Sequence, residues 1–145
     1  MVRTLQIDVP GPGLHVITSD IAGVVAEAAR LNELAPDQSG LCTLFIRHTS
    51  ASLLIQENAD PSAKHDLESW LNRLVPEHDP LYTHNDEGPD DMPAHIKATL
   101  TATSLGIPVL QGRLALEGGR ESICGNTGGL GIHWKSLCTL ANRSR

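Results

Sequence analysis

The sequence is poor in aromatic residues, in cysteine and in long apolar runs. Aromatic side chains make up 3% of its 145 residues, and no two of its three cysteines, Cys42, Cys124 and Cys138, form a Cys-x-x-Cys pair. An odd number of widely spaced cysteines argues against a disulfide framework or a thiolate zinc site, so we expect reduced thiols. The absence of any apolar run of about eighteen residues, and of a leader at Met1, predicts neither a membrane span nor a secretory signal. The cytoplasm is therefore the expected location.

Basic residues are also scarce. Eleven Lys and Arg face seventeen Asp and Glu, which gives a formal net charge of −6. A chain of that charge lacks the cationic surface that binds a nucleic-acid backbone, although it can still bind a phosphate locally. Its length fits one domain with a core of its own, so we expect a single domain over residues 1–145.

Apolar periodicity predicts alternating strands and helices. Strands are expected at 5–9, 14–17, 41–47 and 53–55, the clearest being Leu41 to Arg47, in which Cys42, Leu44 and Ile46 share one face. A first helix, capped by Ser19 or Asp20, carries the apolar stripe Ile21, Val24, Val25, Ala28 and Leu31. A second begins at the Asp60-Pro61 pair, with an apolar face of Ala63, Leu67, Trp70, Leu71 and Leu74.

A long polar loop follows the second helix, from Pro76 to Pro93. Polar loops of this length inside a domain are usually functional or disordered. Pro93 is expected to open a short third helix, and a hairpin is expected across Gln111 and Gly112. Beyond Leu116, glycines are closely spaced, and the sequence shows no sustained apolar periodicity of a helix or a strand.

Three histidines stand at the ends of predicted elements. His48 closes a strand, His84 lies in the acidic loop and His95 lies in the first turn of the third helix. Because the neutral imidazole is the commonest metal ligand and exchanges protons near neutral pH, these positions indicate chemistry. Each histidine taken alone is also compatible with a hydrogen bond to a loop.

Carboxylates accompany the histidines. Glu57 follows a strand that we expect to be buried, where it must pair or bind a cation, or else cap the next helix. Asp86, Glu87, Asp90 and Asp91 could hold magnesium, which prefers oxygen ligands, while Asp90 or Asp91 could instead cap the third helix. Thr49, Ser50 and Ser52 could contact phosphate, and no nucleophile elbow supports a catalytic serine.

Three segments resemble the YjbQ-like family. They are 48–61 (His48-Thr49-Ser50-Ala51-Ser52 through Glu57-Asn58-Ala59-Asp60-Pro61), 84–87 and 90–97 (Asp90-Asp91-Met92-Pro93-Ala94-His95-Ile96-Lys97). The resemblance covers roughly residues 14–116. It implies an α/β (α+β) fold, with a β-sandwich or barrel-like, mostly antiparallel sheet and flanking helices, that assembles as a homotrimer.

Members of that family are described as secondary thiamine-phosphate synthases. Such an enzyme joins a hydroxymethylpyrimidine diphosphate to a thiazole phosphate and releases pyrophosphate. The resemblance implies catalytic roles for His48, Glu57, His84, Asp90, Asp91 and His95, and substrate contacts from Thr49, Ser50, Asn58 and Lys97. Zinc or magnesium on His48, His84 and His95 would suit the chemistry, because a departing pyrophosphate needs its charge neutralised. The alternative is a trimeric module that binds a metal ion or a small phosphorylated ligand without turnover.

The segment 117–145 departs from the family pattern. The family continues with glycine, a variable residue and Trp-Gln-Gly-Ile-Tyr, whereas this chain reads Glu117-Gly118-Gly119-Arg120. Codons that encode Gly118 to Thr127, read one base earlier, can spell Trp-Gln-Gly-Ile-Tyr-Leu-Trp-Glu-His. We therefore predict a shifted reading frame caused by one lost base near Leu116.

Overall fold

A computed structural model describes residues 1–117, 120–126 and 133–141. The chain forms eight strands and three helices in the described ranges. In chain order they are β1 (Val2–Asp8), β2 (Gly13–Val16), α1 (Thr18–Arg30), β3 (Gly40–Ile46), β4 (Ala51–Glu57), α2 (Pro61–Leu74), α3 (Asp91–Leu100), β5 (Ser104–Leu110), β6 (Arg113–Leu114), β7 (Arg120–Asn126) and β8 (His133–Ala141).

The strands form two antiparallel sheets. One has five strands in the order β1-β8-β3-β5-β6, and the other has three in the order β2-β7-β4. The expected α+β fold with a mostly antiparallel sheet and flanking helices is confirmed. None of the three helices, in the part of the chain that is described, is both long and apolar enough to cross a membrane.

The two sheets and α1 share one hydrophobic core. The alternation predicted for β3 is confirmed, because Cys42 and Leu44 are fully buried and Ile46 is nearly so. From α1, Ile21, Val24, Val25 and Ala28 enter the same core, while Leu31 is exposed. The caps predicted for α1 are wrong: Ser19 and Asp20 lie inside the helix, whose N-cap residue is Ile17. Of the three thiols, Cys42 lies in the core, and the side chains of Cys124 and Cys138 lie outside the described part of the structure.

The predicted hairpin is present between β5 and β6. Gln111 and Gly112 both have positive φ, 51° and 72°, as a two-residue turn of type I′ requires. Gly112 adopts a positive φ without steric cost because it has no Cβ. Gln111 adopts a positive φ although residues with a Cβ disfavour it.

The glycine-crowded tail supplies an interior strand of each sheet. β8 pairs with both β1 and β3, and β7 pairs with both β2 and β4. Residues 118–119, 127–132 and 142–145 of that segment lie outside the described ranges.

Helix α2 begins as the sequence predicts but packs differently. The Asp60 carboxylate caps it by accepting a hydrogen bond from the Ser62 N–H at 2.8 Å. None of its side chains is buried. It is held instead at β2, an edge strand, where Glu68 accepts from the Leu14 N–H at 2.7 Å and Lys64 donates to the Leu14 carbonyl at 2.9 Å. These two side chains take the place of a neighbouring strand.

Candidate metal centre

The loop between α2 and α3 is folded by local hydrogen bonds on either side of His84. Asp79 accepts from the backbone N–H groups of Leu81 and Tyr82, and the Asn85 side chain donates to the Tyr82 carbonyl. Gly88 then reverses the chain with φ of 118°, and a Cβ there would lie 3.1 Å from an Asp90 carboxylate oxygen. A glycine is therefore suited to the position at which the chain returns from His84 toward α3.

Helix α3 places Asp91 and His95 on one face. It begins at Asp91, two residues before the predicted start at Pro93, so Asp91 and His95 stand four residues apart within the helix. Pro93 and Ala94 are buried beneath them. An aspartate in the first turn is also favoured by the helix dipole.

Three side chains from this region converge. The Asp91 Oδ2 atom lies 2.9 Å from His84 Nε2 and 3.4 Å from His95 Nε2. The two imidazole centroids are 5.8 Å apart, with their planes inclined at 60°. One potential ligand atom from each of the three residues lies within 4.8 Å of the others. The loop and the helix thus bring together two nitrogens and one carboxylate oxygen.

The Asp91 Oδ2 atom is buried and accepts no hydrogen bond of acceptable geometry. The Asp91 side chain is 11% exposed, and its Oδ2 atom has no hydrogen-bond partner in the structure despite the short contacts to both imidazoles. A shared cation would account for both observations, because ligand atoms around a metal approach one another without pointing a hydrogen at their neighbour. An unsatisfied buried carboxylate oxygen costs about 1–3 kcal/mol or more, which a cation would offset.

The ligand set fits zinc better than magnesium. Ligands about 2.0–2.1 Å from a tetrahedral zinc ion stand roughly 3.3 Å apart, close to the 2.9 and 3.4 Å observed here. Two imidazoles with one carboxylate are a catalytic zinc set that leaves a fourth position open, whereas magnesium prefers oxygen ligands. The His84 and His95 side chains are 49% and 40% exposed, so that position can reach solvent or substrate.

The other acidic residues of the loop stand apart from this set. Asp86 and Glu87 are exposed, and neither belongs to the group of converging ligand atoms found among the described residues. Asp90 is the N-cap residue of α3 but makes no side-chain capping bond there, so the predicted capping role does not hold for it.

The structure does not bring His48 into the group of converging ligand atoms, although the sequence proposed it as a ligand. Its Nδ1 atom accepts a hydrogen bond from the Ser50 N–H at 3.1 Å. A neutral imidazole has one nitrogen lone pair, so this bond leaves Nε2 as a donor rather than a metal ligand. Asp91, which the sequence placed among catalytic residues, occupies the third position instead.

His48 and Thr49 line a cavity of about 410 Å³ at the end of β3. Residues 45–47, Ala51, Ala98 and Thr103 complete its lining. Ala98 lies on the same face of α3 as Asp91 and His95, because it follows Asp91 by seven residues and His95 by three. Side chains three residues apart on a helix have Cβ atoms about 5–6 Å apart, so Ala98 and His95 are neighbours on the helix surface.

Backbone hydrogen bonds fix α3 against both sheets. The Ile46 N–H donates to the Thr103 carbonyl at 2.9 Å, and Leu53 and Ala102 exchange both of their backbone hydrogen bonds. The chain that leaves α3 is therefore held between the end of β3 and β4.

Three further predicted site residues lie outside the converging set. Glu57 is exposed at the end of β4, and Asn58 follows it. Lys97 donates to Asn72 Oδ1 at 2.8 Å, and burial lowers its pKa, opposed by the charge of Glu77. Lys97 is two residues from His95, about 200° around the helix, and so is directed toward α2.

Comparison with known proteins decides the family. The family described as "UPF0047 protein YjbQ-like" matches residues 3–124. The chain belongs to this family. A UPF0047 protein from Synechocystis is 49% identical over 112 residues, 77% of this chain and 71% of its own length. The UPF0047 protein YjbQ of Escherichia coli O157:H7 is 41% identical over 112 residues, 77% and 76% of the two chains.

Solved structures of similar proteins share the fold. A conserved hypothetical protein from Thermus thermophilus superposes with a TM-score of 0.81 at 28% identity, over 96% of this chain and 99% of that one. A YbjQ-like protein of unknown function from Sulfolobus solfataricus gives 0.77 at 18% identity, over 97% and 98%. The expected YjbQ-like architecture is confirmed. The second likeness shows the fold alone.

Sequence reasoning named Asp91 as a possible magnesium ligand but did not group it with His84 and His95. The signal was present, because Asp91 and His95 have the i, i+4 spacing that puts two ligands on one helical face. Placing the helix start at Pro93 concealed it, since Asp91 then lay in the loop. The contact of His84 with Asp91 depends on the path of the loop, which periodicity does not predict.

Proposed function

We propose that this UPF0047 protein is a zinc-dependent transferase of the secondary thiamine-phosphate synthase type, acting on small phosphorylated substrates in the cytoplasm. The observation that carries the proposal is the buried Asp91 Oδ2 atom, which contacts two imidazole nitrogens without an oriented hydrogen bond. The thiamine-phosphate chemistry comes from the family resemblance, and the convergence of His84, Asp91 and His95 supports a metal.

In the proposed reaction, the thiazole nitrogen attacks the methylene carbon of the hydroxymethylpyrimidine diphosphate. A carbon–nitrogen bond forms, the carbon–oxygen bond to the diphosphate breaks, and pyrophosphate leaves with the electron pair. A bound divalent ion would supply charge neutralisation for that leaving group. His84, Asp91 and His95 would hold this ion, and the exposed side of the two imidazoles would face the substrate.

The remaining residues surround that centre in the proposal. His48, Thr49 and Ser50 serve the cavity, with His48 as a donor rather than a metal ligand. Glu57 and Asp90 keep the catalytic roles, and Asn58 the substrate contact, that the resemblance implies. Lys97 contributes through its contact with Asn72, which holds α3 against α2, rather than as a phosphate ligand.

We also propose the homotrimer that the resemblance implies. Trp70, Leu74 and Leu81 are 50%, 51% and 84% exposed in one chain, and a neighbouring copy would cover apolar surface of this kind. Sedimentation equilibrium should give three times the chain mass of 15.5 kDa. A mass equal to that of one chain would remove this part of the proposal.

The enzyme hypothesis is tested by formation of thiamine phosphate from its two precursors, followed by mass spectrometry. Zinc-loaded protein should form the product, and Asp91→Asn should lower the rate roughly 100-fold. His65→Ala, an exposed histidine on α2, is the matched control and should leave the rate unchanged. Stoichiometric zinc binding without product would instead favour the non-catalytic binding module. Equal rates in wild type and Asp91→Asn would remove the site assignment.

A further inference from the structure

Leu81 is the most exposed large apolar side chain among the described residues. It is 84% exposed and lies in the loop between α2 and α3. Its backbone is nevertheless held in place, because the Leu81 N–H donates to Asp79 Oδ1 at 2.9 Å and the Tyr82 N–H donates to the Asp79 carbonyl at 3.0 Å. The Asn85 side chain donates to the Tyr82 carbonyl at 3.0 Å. The loop thus presents an apolar side chain on an ordered turn, and burial of that side chain would offset the entropy that the ordering costs.

The cavity at the end of β3 can receive such a side chain. Its volume is about 410 Å³ and its lining is mainly apolar, from Phe45, Ile46, Ala51 and Ala98. Phe45 is 47% exposed, so part of its ring is uncovered in a single copy of the chain. A cavity of about 150 Å³ holds a benzene ring. A leucine side chain therefore fits in this cavity and leaves room beside His48.

The loop and the cavity carry opposite charge. Residues 76–93 contain six carboxylates and no Lys or Arg. Arg47 is the charged side chain in the described lining of the cavity, and within the part of the chain that the structure describes no carboxylate forms an ion pair with it. Opposite charges on two surfaces favour their encounter and fix how they align. The acidic loop of a second copy therefore suits this cavity better than a basic or a neutral partner does.

We infer that Leu81 of one copy docks into the cavity of the next copy, with Arg47 facing the acidic loop around it. The contact joins two different surfaces of the chain, and head-to-tail contacts of this kind close into rings. The number of copies, three, rests on the homotrimer of the proposed function. His84 follows Leu81 by three residues, so their Cα atoms are at most about 11 Å apart. Docking therefore brings the loop that carries one candidate metal ligand alongside His48 of the neighbouring copy, and the site is shared between copies.

Sedimentation equilibrium of the full-length protein tests both surfaces. Leu81→Asp and Ala98→Glu each place a carboxylate in the apolar contact and should weaken association about 100-fold or more. Each variant should then sediment at the mass of one chain, 15.5 kDa, where wild type is trimeric. Leu110→Asp is the matched control and should remain trimeric, because Leu110 is 59% exposed at the other end of β3, where Val109 pairs with Gly40. Circular dichroism should show the wild-type helix and strand content in all three variants.

Cross-linking tests the same contact without a disruptive substitution. Leu81→Cys and Ala98→Cys chains, co-expressed and treated with a short bis-maleimide, should give a two-chain product in greater yield than either variant alone. If Leu81→Asp or Ala98→Glu remains trimeric, or if the co-expressed chains give no more product than the single variants, the inference is overturned while the homotrimer stands. A wild-type protein that sediments as one chain would overturn both. A trimer that dissociates as expected but forms no thiamine phosphate would keep the inference and remove the proposed reaction.

Discussion

Helices α2 and α3 differ in a way that their sequences do not suggest. α2 has the stronger signals, with a capping aspartate, a first-turn proline and a regular apolar face, yet none of its side chains is buried. α3 is shorter and less regular, but it buries Pro93 and Ala94 and presents Asp91 and His95 to the candidate metal centre. Apolar periodicity therefore predicted where each helix forms, but not which helix buries side chains or carries the candidate metal ligands.

The largest expected difference between the helices concerns zinc. His95→Ala on α3 should weaken zinc binding roughly 100-fold or more, because one of three ligands is lost. His65→Ala on α2 removes an exposed imidazole of the same type and should leave the affinity unchanged. Competition with a fluorescent zinc chelator measures both variants, and equal affinities would remove the distinction between the helices.

Packing should separate the helices next. Ala94→Leu adds three carbons to a position with no exposed surface on α3 and should lower the free energy of unfolding by about 1–3 kcal/mol. Ala63→Leu makes the same change at an exposed position of α2, where an effect within about 0.5 kcal/mol is expected. Urea denaturation checks both, and equal losses would show that α2 packs as tightly as α3.

The attachment of α2 to the edge of β2 should have a smaller effect. Glu68→Ala removes the acceptor of the Leu14 N–H and should cost about 1 kcal/mol of unfolding free energy. It also exposes an unpaired strand edge, so self-association should increase with concentration, as light scattering would measure. Ser69→Ala, at the next position of the same helix, is the control. Unchanged stability and scattering in Glu68→Ala would show that the contact has no protective role.

The smallest effect is expected at the cap of α2. Hydrogen bonds from Ser62 lower the pKa of Asp60 below its ordinary value of 3.8. A carboxylate with a lowered pKa in the folded state stabilises the protein above its ordinary value, and this contribution is lost as the pH falls through the lowered pKa. Asp60→Ala should therefore have a slightly lower melting temperature than wild type at pH 7. At a pH below the ordinary pKa of Asp60, the melting temperatures of the two proteins should differ less. Asp60→Asn, which retains a capping oxygen, is the control, and a difference that grows in acid would contradict the assignment.

The sequence predicted those elements in which local pattern and tertiary packing agree. The β3 alternation of Cys42, Leu44 and Ile46, the Asp60 cap and the Gln111-Gly112 turn each follow from a local rule and are present. The tail strands β7 and β8 were missed, because their pairing depends on neighbours distant in the chain rather than on a period of two. Likewise, His48 and His95 were expected in one metal site, but a hydrogen bond within the His48 loop directs that ring elsewhere.

The reading-frame hypothesis for residues 117–145 concerns the same two tail strands. DNA sequencing of the gene should reveal codons near Leu116 that, with one base restored, encode Trp-Gln-Gly-Ile-Tyr at the position of β7. Codons that encode unrelated residues in the shifted frame would discard the hypothesis. The prediction concerns interior strands of both sheets, since β7 and β8 each pair on two sides.

The account depends most on a cation shared by His84, Asp91 and His95, and anomalous X-ray scattering at the zinc edge from crystals grown with zinc tests it most directly. We predict one peak per chain, about 2.0–2.2 Å from His84 Nε2, His95 Nε2 and Asp91 Oδ2. A map in which those atoms still touch one another, with zinc bound elsewhere or at no ordered position, would contradict it.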